Sequence, residues 1–148
     1  MASSEATKEV TVPVALLAVG LVLFAVAGLL LGGAVGAGVY LLMVAVQLVV
    51  GVPLGILACF ITARILQGSF GYLNTAILKL AAIFVFCGAV AAVVPYVGWL
   101  ISLPVYWGLL AWLFELEVAE VVVLTIVLWV VRLFVAGLVV GPIVAALQ

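Results

Sequence analysis

From Val12 to Gly38 the chain reads VPVALLAVGLVLFAVAGLLLGGAVGAG, an uncharged apolar run that closes on a glycine cluster. One helix needs about 20 apolar residues to cross the hydrocarbon core of a bilayer, and Val12–Leu31 supplies that length before the glycines begin. A strand reading fails. Apolar and polar residues do not alternate, and backbone facing lipid must satisfy its own hydrogen bonds, which a helix does within one segment.

The rest of the chain repeats the pattern. A second apolar run covers 39–66 and carries Arg64 near its end. The stretch Gln67-Gly68-Ser69-Phe70-Gly71-Tyr72-Leu73-Asn74 has the polar and glycine content of a turn. Runs over 75–94, 99–114 and 118–147 follow, separated by Pro95-Tyr96-Val97-Gly98 and by the acidic stretch Glu115, Glu117, Glu120. The expected architecture is an all-α transmembrane bundle of five helices. Four cross if 99–114 only dips in, because that run is short and Pro104 removes a backbone donor inside it. Residues 1–11 form a short polar head and 12–148 a single transmembrane domain.

Composition agrees. Across 148 residues 72% are hydrophobic and 6% charged, against about 45–50% and 25% in soluble domains. A soluble fold of this size would leave a large apolar surface in water. A net charge of −1 offers no field for nucleic acid. Lys8, Arg64 and Lys79 gather on one side and the opposite turns carry no Lys or Arg. That places the N-terminus in the cytoplasm and the C-terminus outside, in an expected bacterial cytoplasmic membrane. Ala25-Val26-Ala27 looks like a cleavage site, yet Glu5 and Glu9 beside Lys8 deny the basic region of a signal peptide, so the first run is expected to stay. Met1-Ala2 lacks the glycine of a myristoylation signal.

The glycines are the most patterned feature. Gly28, Gly32 and Gly36 recur every four residues, and Gly51/Gly55 and Gly137/Gly141 repeat the spacing. Small residues four apart share a helix face and let backbones approach where lipid gives no hydrophobic drive to associate. They are expected to pack helices within the bundle, or copies against each other; the cluster from Gly32 equally suits the outer turn. Pro53 is expected to kink the second helix.

Among the charges, Arg64, Lys79, Glu115, Glu117 and Glu120 fall at the cytoplasmic edge, where they are expected to form an ion cluster holding the turns. Lys79 lies about 7 Å inside its run, shallow enough to snorkel. Arg132 differs: it lies about 18 Å along the helix from Glu120, close to the midplane. A charge there costs at least about 2.5 kcal/mol and should face the bundle interior. Thr125, one heptad earlier, Gln47, and carbonyls freed by Pro53 or Pro104 are its candidate partners. It is either an anchor on those carbonyls or a binder of an anion or anionic lipid.

Tyr40, Tyr96 and Trp99 suit one interfacial belt and Tyr72, Trp112 and Phe114 the other, while Tyr106, Trp107 and Trp129 fall deeper and are expected to pack. Cys59 and Cys87 differ in depth by about 9 Å, too far for a disulfide. No His occurs, so Ser and Thr lack a base; no intramembrane acid pair, metal-ligand cluster or phosphate-binding glycine loop is present. No catalytic residue, metal or cofactor is expected.

Ser69-Phe70-Gly71-Tyr72, Ile77-Leu78-Lys79-Leu80-Ala81-Ala82 and Val94-Pro95-Tyr96-Val97-Gly98-Trp99-Leu100 together resemble the Yip1-domain family in its prokaryotic form, over about residues 60–135. That resemblance implies five spans with a cytoplasmic N-terminus, and no agreed activity. The proline that follows Gly-Tyr in eukaryotic members is absent here, as is their Asp-x-Tyr-Gly-Pro stretch. The expected function is therefore non-enzymatic: a scaffold or trafficking-like protein acting through helix packing and contacts with the lipid bilayer, other membrane proteins or a second copy. The alternatives are a small oligomeric transporter or channel component with Arg132 in an anion path, or an accessory subunit of a membrane complex. A water-accessible cavity at Arg132 lined by Gln47 or Thr125 would favour transport and dry packing the scaffold. An uncovered small-residue face on the first or last helix would mark the subunit.

Overall fold

The computed structural model describes residues 7–67, 72–94 and 96–146, apart from the side chains of Thr7, Lys8 and Ile143. Residues before Thr7, the Gly68-Ser69-Phe70-Gly71 portion of the turn, Pro95 and the last two residues lie outside the described residues. A π-helical turn, Thr7–Thr11, leads into α1 (Val12–Leu66), followed by α2 (Leu73–Val93), α3 (Gly98–Phe114) and α4 (Val118–Ala146). No strand occurs among the described residues. The helices α1, α2 and α4 are long and apolar enough to cross a membrane, and α3 is shorter.

Hydrogen bonding runs almost continuously through α1, but its path does not. Gly32 (φ −153°, ψ 18°) and Gly33 (φ 60°, ψ −148°) leave helical geometry, and the Gly33 conformation is open essentially to glycine alone. Here the helix folds back on itself. A straight helix would hold residues 28 and 37 about 13 Å apart, whereas a methyl on Gly28 would lie 2.6 Å from the Ala37 Cα, and one on Gly36 would strike the Gly28 carbonyl. Farther along, Phe24 and Tyr40 meet with ring centroids 6.2 Å apart. The arms 12–31 and 34–66 are thus an antiparallel pair.

This corrects two expectations. Gly28, Gly32 and Gly36 are not one face of one helix: Gly28 and Gly36 oppose each other across a turn that Gly32 and Gly33 make. The second run resumes at 34 rather than 39, because a two-glycine reversal needs no longer loop. Pro53 breaks nothing comparable, since only Gly32 and Gly33 depart from helical φ/ψ inside α1.

The buried axis is α2, with more than half of its apolar window enclosed against about a fifth for α1 and α4. Leu80 and Ile83 of α2 join Leu110 and Leu113 of α3, Val121 and Leu124 of α4, and Ala58 and Cys59 of α1 in the main core. Gly51 and Gly55 let the second arm of α1 close on α2, with methyl positions 3.5 Å and 3.2 Å from the Phe84 ring. Cys59 and Cys87 are both free and buried. Much of the remaining surface is large and apolar, Leu30, Val35, Val49 and Phe134 among it. That surface suits hydrocarbon rather than water.

Helix ends are closed locally. Gln67 and Glu115 take the left-handed conformation after α1 and α3, returning their N–H groups to Ala63 and Ala111 carbonyls. The Glu120 carboxylate accepts from the Glu117 N–H at 2.9 Å, occupying a donor that the start of α4 would leave bare.

Candidate functional site

Two basic side chains lie within the apolar helices, and the structure treats them differently. Lys79, on α2, is 8% exposed and its Nζ donates to Glu9 Oε1 at 2.8 Å, with the Phe114 ring 5.5 Å away. Glu9 sits in the polar turn ahead of the first apolar run. Donation from Lys79 holds its carboxyl below the ordinary carboxylate value. Of the edge cations, Lys79 thus takes a partner outside the expected set. Lys79 reaches back across the chain to Glu9, Glu117 and Glu120 serve the start of α4, and Glu115 ends α3. Arg64 is exposed and makes no ion pair among the described residues.

Arg132 is the other case. α3 and α4 meet near the Glu115 turn, where Leu110, Leu113, Val121 and Leu124 are buried. Toward the other end they bound a cavity of about 250 Å³. Its walls are Ser102, Leu103 and Tyr106 of α3 and Thr125, Trp129 and Arg132 of α4; Phe84 and Gly88 of α2 and Gln47 of α1 complete it. Gln47, Thr125 and Arg132, three residues far apart in the chain, are thus brought to one hollow.

The donors and acceptors there are unequal. The Arg132 guanidinium lies 5.3 Å over the Phe84 ring, which itself stacks on Tyr106 at 6.4 Å and 12°. Neither the guanidinium nor the Tyr106 hydroxyl has a hydrogen-bond acceptor among the described residues. Thr125 and Ser102 donate to the carbonyls of Val121 (2.7 Å) and Trp99 (2.8 Å) on their own helices. Gln47 donates to the Phe84 carbonyl at 3.2 Å. No carboxylate lines the cavity among the described residues. A guanidinium offers five donors and no acceptor, so the hollow has surplus positive charge and surplus N–H. Its chemical complement is an anion.

Several expectations change here. Arg132 is exposed in the hollow rather than interior, and its neighbour is the Phe84 face instead of carbonyls freed by proline. Trp129 and Trp107, expected to pack, are exposed, and Trp129 lines the cavity. Phe84 and Glu9 had no sequence signal as partners of the cations. The nearest hint was depth, since Glu9 and Lys79 lie at the same edge and Phe84 midway along α2. A methyl on Gly137 or Gly141 would meet nothing within 4 Å, so neither glycine is packed against another helix among the described residues. Among the described residues no group of His, Cys, Asp and Glu could hold a metal. Comparison with protein families, curated proteins and solved structures returns no match for this chain.

Proposed function

We propose that this is a non-enzymatic membrane protein that crosses the bilayer five times and holds an anionic group at Arg132, as a small carrier or channel component. The folding-back of α1 at Gly32–Gly33 supports two crossings from that helix, and α2, α3 and α4 add three. Lys8, Arg64 and Lys79 on one side support a cytoplasmic N-terminus. Tags at the two ends should then be cleaved from opposite faces of sealed vesicles; cleavage of both from one face overturns the odd count.

The observation that carries the functional reading is the cavity itself: a guanidinium without an acceptor among the described residues, on a wall shared with Gln47 and Thr125. A structural anchor would have been packed dry against carbonyls. An intramembrane arginine of this kind is costly to insert and is kept where it serves a pathway or ligand.

Thermal unfolding in neutral detergent tests it. An anion at a hundred times its Kd adds about 2.7 kcal/mol, or roughly 5–10 °C for a chain of this size. That shift should vanish in Arg132→Gln and survive in part in Arg132→Lys. If no anion, aqueous or amphiphilic, distinguishes wild type from Arg132→Gln, the reading fails.

A second reading has its own observation. The open small-residue face of α4 at Gly137 and Gly141 suits a contact with another membrane protein, as an accessory subunit or scaffold would make. Gly137→Leu should then disperse a complex recovered from native membrane without altering the fold of the isolated chain. Kinship with the prokaryotic Yip1 proteins belongs to this reading and rests on the turn motifs quoted above.

A further inference from the structure

We infer that the anion Arg132 receives is the carboxylate of a long-chain acid, which enters sideways from the lipid between α3 and α4. This rests on the anion-binding reading above and names its ligand.

The approach comes first. The cavity is edged by Leu103 of α3 and Trp129 of α4, both exposed and apolar. These are side chains for hydrocarbon to cover. Among the described residues Arg132 is the one charged side chain lining the cavity, and the turn Pro95-Tyr96-Val97-Gly98 at that end of the bundle carries no Lys or Arg to draw an anion from water. Access runs laterally, and only a molecule already dissolved in the bilayer uses such a route.

Depth then selects the head group. Phe84, beneath the guanidinium, lies about 16 Å along α2 from Leu73 and about 13 Å from Val93, in the middle of that helix. A head group reaching this level must leave its hydration behind. An ionised group in hydrocarbon is so unfavourable that it neutralises where it can. A carboxyl does so by taking up a proton, travels as the neutral acid, and on reaching Arg132 returns that proton to water. A phosphodiester has no such neutral form near pH 7.

Shape agrees. Two carboxylate oxygens match the planar guanidinium fork bidentately, and the Tyr106 hydroxyl stands within the same cavity as a further donor without an acceptor among the described residues. A water molecule occupies about 30 Å³ of liquid, so a hollow of about 250 Å³ takes a carboxylate and its first methylenes. The rest of the chain lies along the apolar edge.

The test is equilibrium binding of radiolabelled oleate to the full chain in a neutral detergent, with acetate, oleyl alcohol and phosphatidylglycerol as competitors. Wild type should bind oleate at least tenfold more tightly than Arg132→Gln, with Arg132→Lys between, and none of the three competitors should displace it at equal concentration. Displacement by acetate overturns lateral entry and leaves the anion site standing. Displacement by phosphatidylglycerol overturns selection for a carboxyl and likewise leaves the anion site. Equal binding by Arg132→Gln, or displacement by oleyl alcohol, removes both this inference and the reading beneath it. Leu103→Trp, which narrows the edge and keeps the guanidinium, should lower oleate binding tenfold; unchanged binding overturns the sideways route even if Arg132→Gln does not fold.

Discussion

Lys79 and Arg132 are both single cations on apolar helices, yet one lies in a sealed half of the bundle and the other in an open half. Around Lys79 the helices close: Glu9 neutralises the ammonium, Phe114 lies nearby, and Leu80, Ile83 and Leu110 are buried. Around Arg132 they part. Trp129, Leu133 and Phe134 are 62%, 66% and 69% exposed, and the guanidinium has an aromatic face but no carboxylate partner among the described residues. The two halves differ in what meets the cation. Lys79 is met by an opposite charge from the same chain. Arg132 meets an aromatic face in a hollow, which is the difference the proposed anion site rests on.

The largest expected effect checks whether the sealed half holds the bundle. Leu110 is fully buried among residues of α2 and α4. In lipid its contribution is packing rather than escape from water, and the void left by Leu110→Ala costs about 2–4 kcal/mol. Leu133→Ala, the same change in the open half, should stay within about 0.5 kcal/mol. Equal losses in a reversible unfolding titration in mixed micelles would mean that the open half is closed in the membrane.

The next effect has the opposite sign. Arg132→Leu removes a charge worth at least about 2.5 kcal/mol against insertion and gives up a cation–π contact of about 1 kcal/mol. In the same titration the variant should gain about 1–2 kcal/mol while losing anion binding. A loss of stability instead would show that Arg132 is held by a partner in the purified protein.

How far the sequence alone leads follows the same division. Helix runs were legible because apolar length and glycine or polar breaks are local properties. Gly32 and Gly33 could be marked as a turn, but the direct meeting of Gly28 with Gly36 depends on how few residues the reversal uses. At the site, the depth of Arg132 and its association with Gln47 and Thr125 followed from counting residues along helices. The Phe84 face did not, because which side of α2 points toward α4 is settled by how Gly51 and Gly55 seat α1 against α2. Glu9 was passed over for a similar reason. Three nearer glutamates shared the edge with Lys79, and only the docking of the first helix brings a residue 70 positions away within 2.8 Å.

The smallest effect sharpens the sealed side. Glu9 is 42% exposed, so solvent screens its pairing with Lys79, and Glu9→Gln should cost only about 1 kcal/mol. Its pH dependence identifies it. The native carboxyl titrates below its ordinary value of 4.5, because Lys79 donates to the charged form. A group with a lowered folded-state pKa contributes stability above its unfolded pKa and loses it as pH falls through the folded one. Wild type and Glu9→Gln should therefore differ at pH 7 and converge as the titration is repeated below about pH 4.5. Removing Lys79 should abolish the convergence, since the carboxyl then has no cation to lower its pKa. A difference between wild type and Glu9→Gln that persists unchanged through the acid range would mean that shape or hydrogen bonding, and not the charge of Glu9, holds the polar turn to α2.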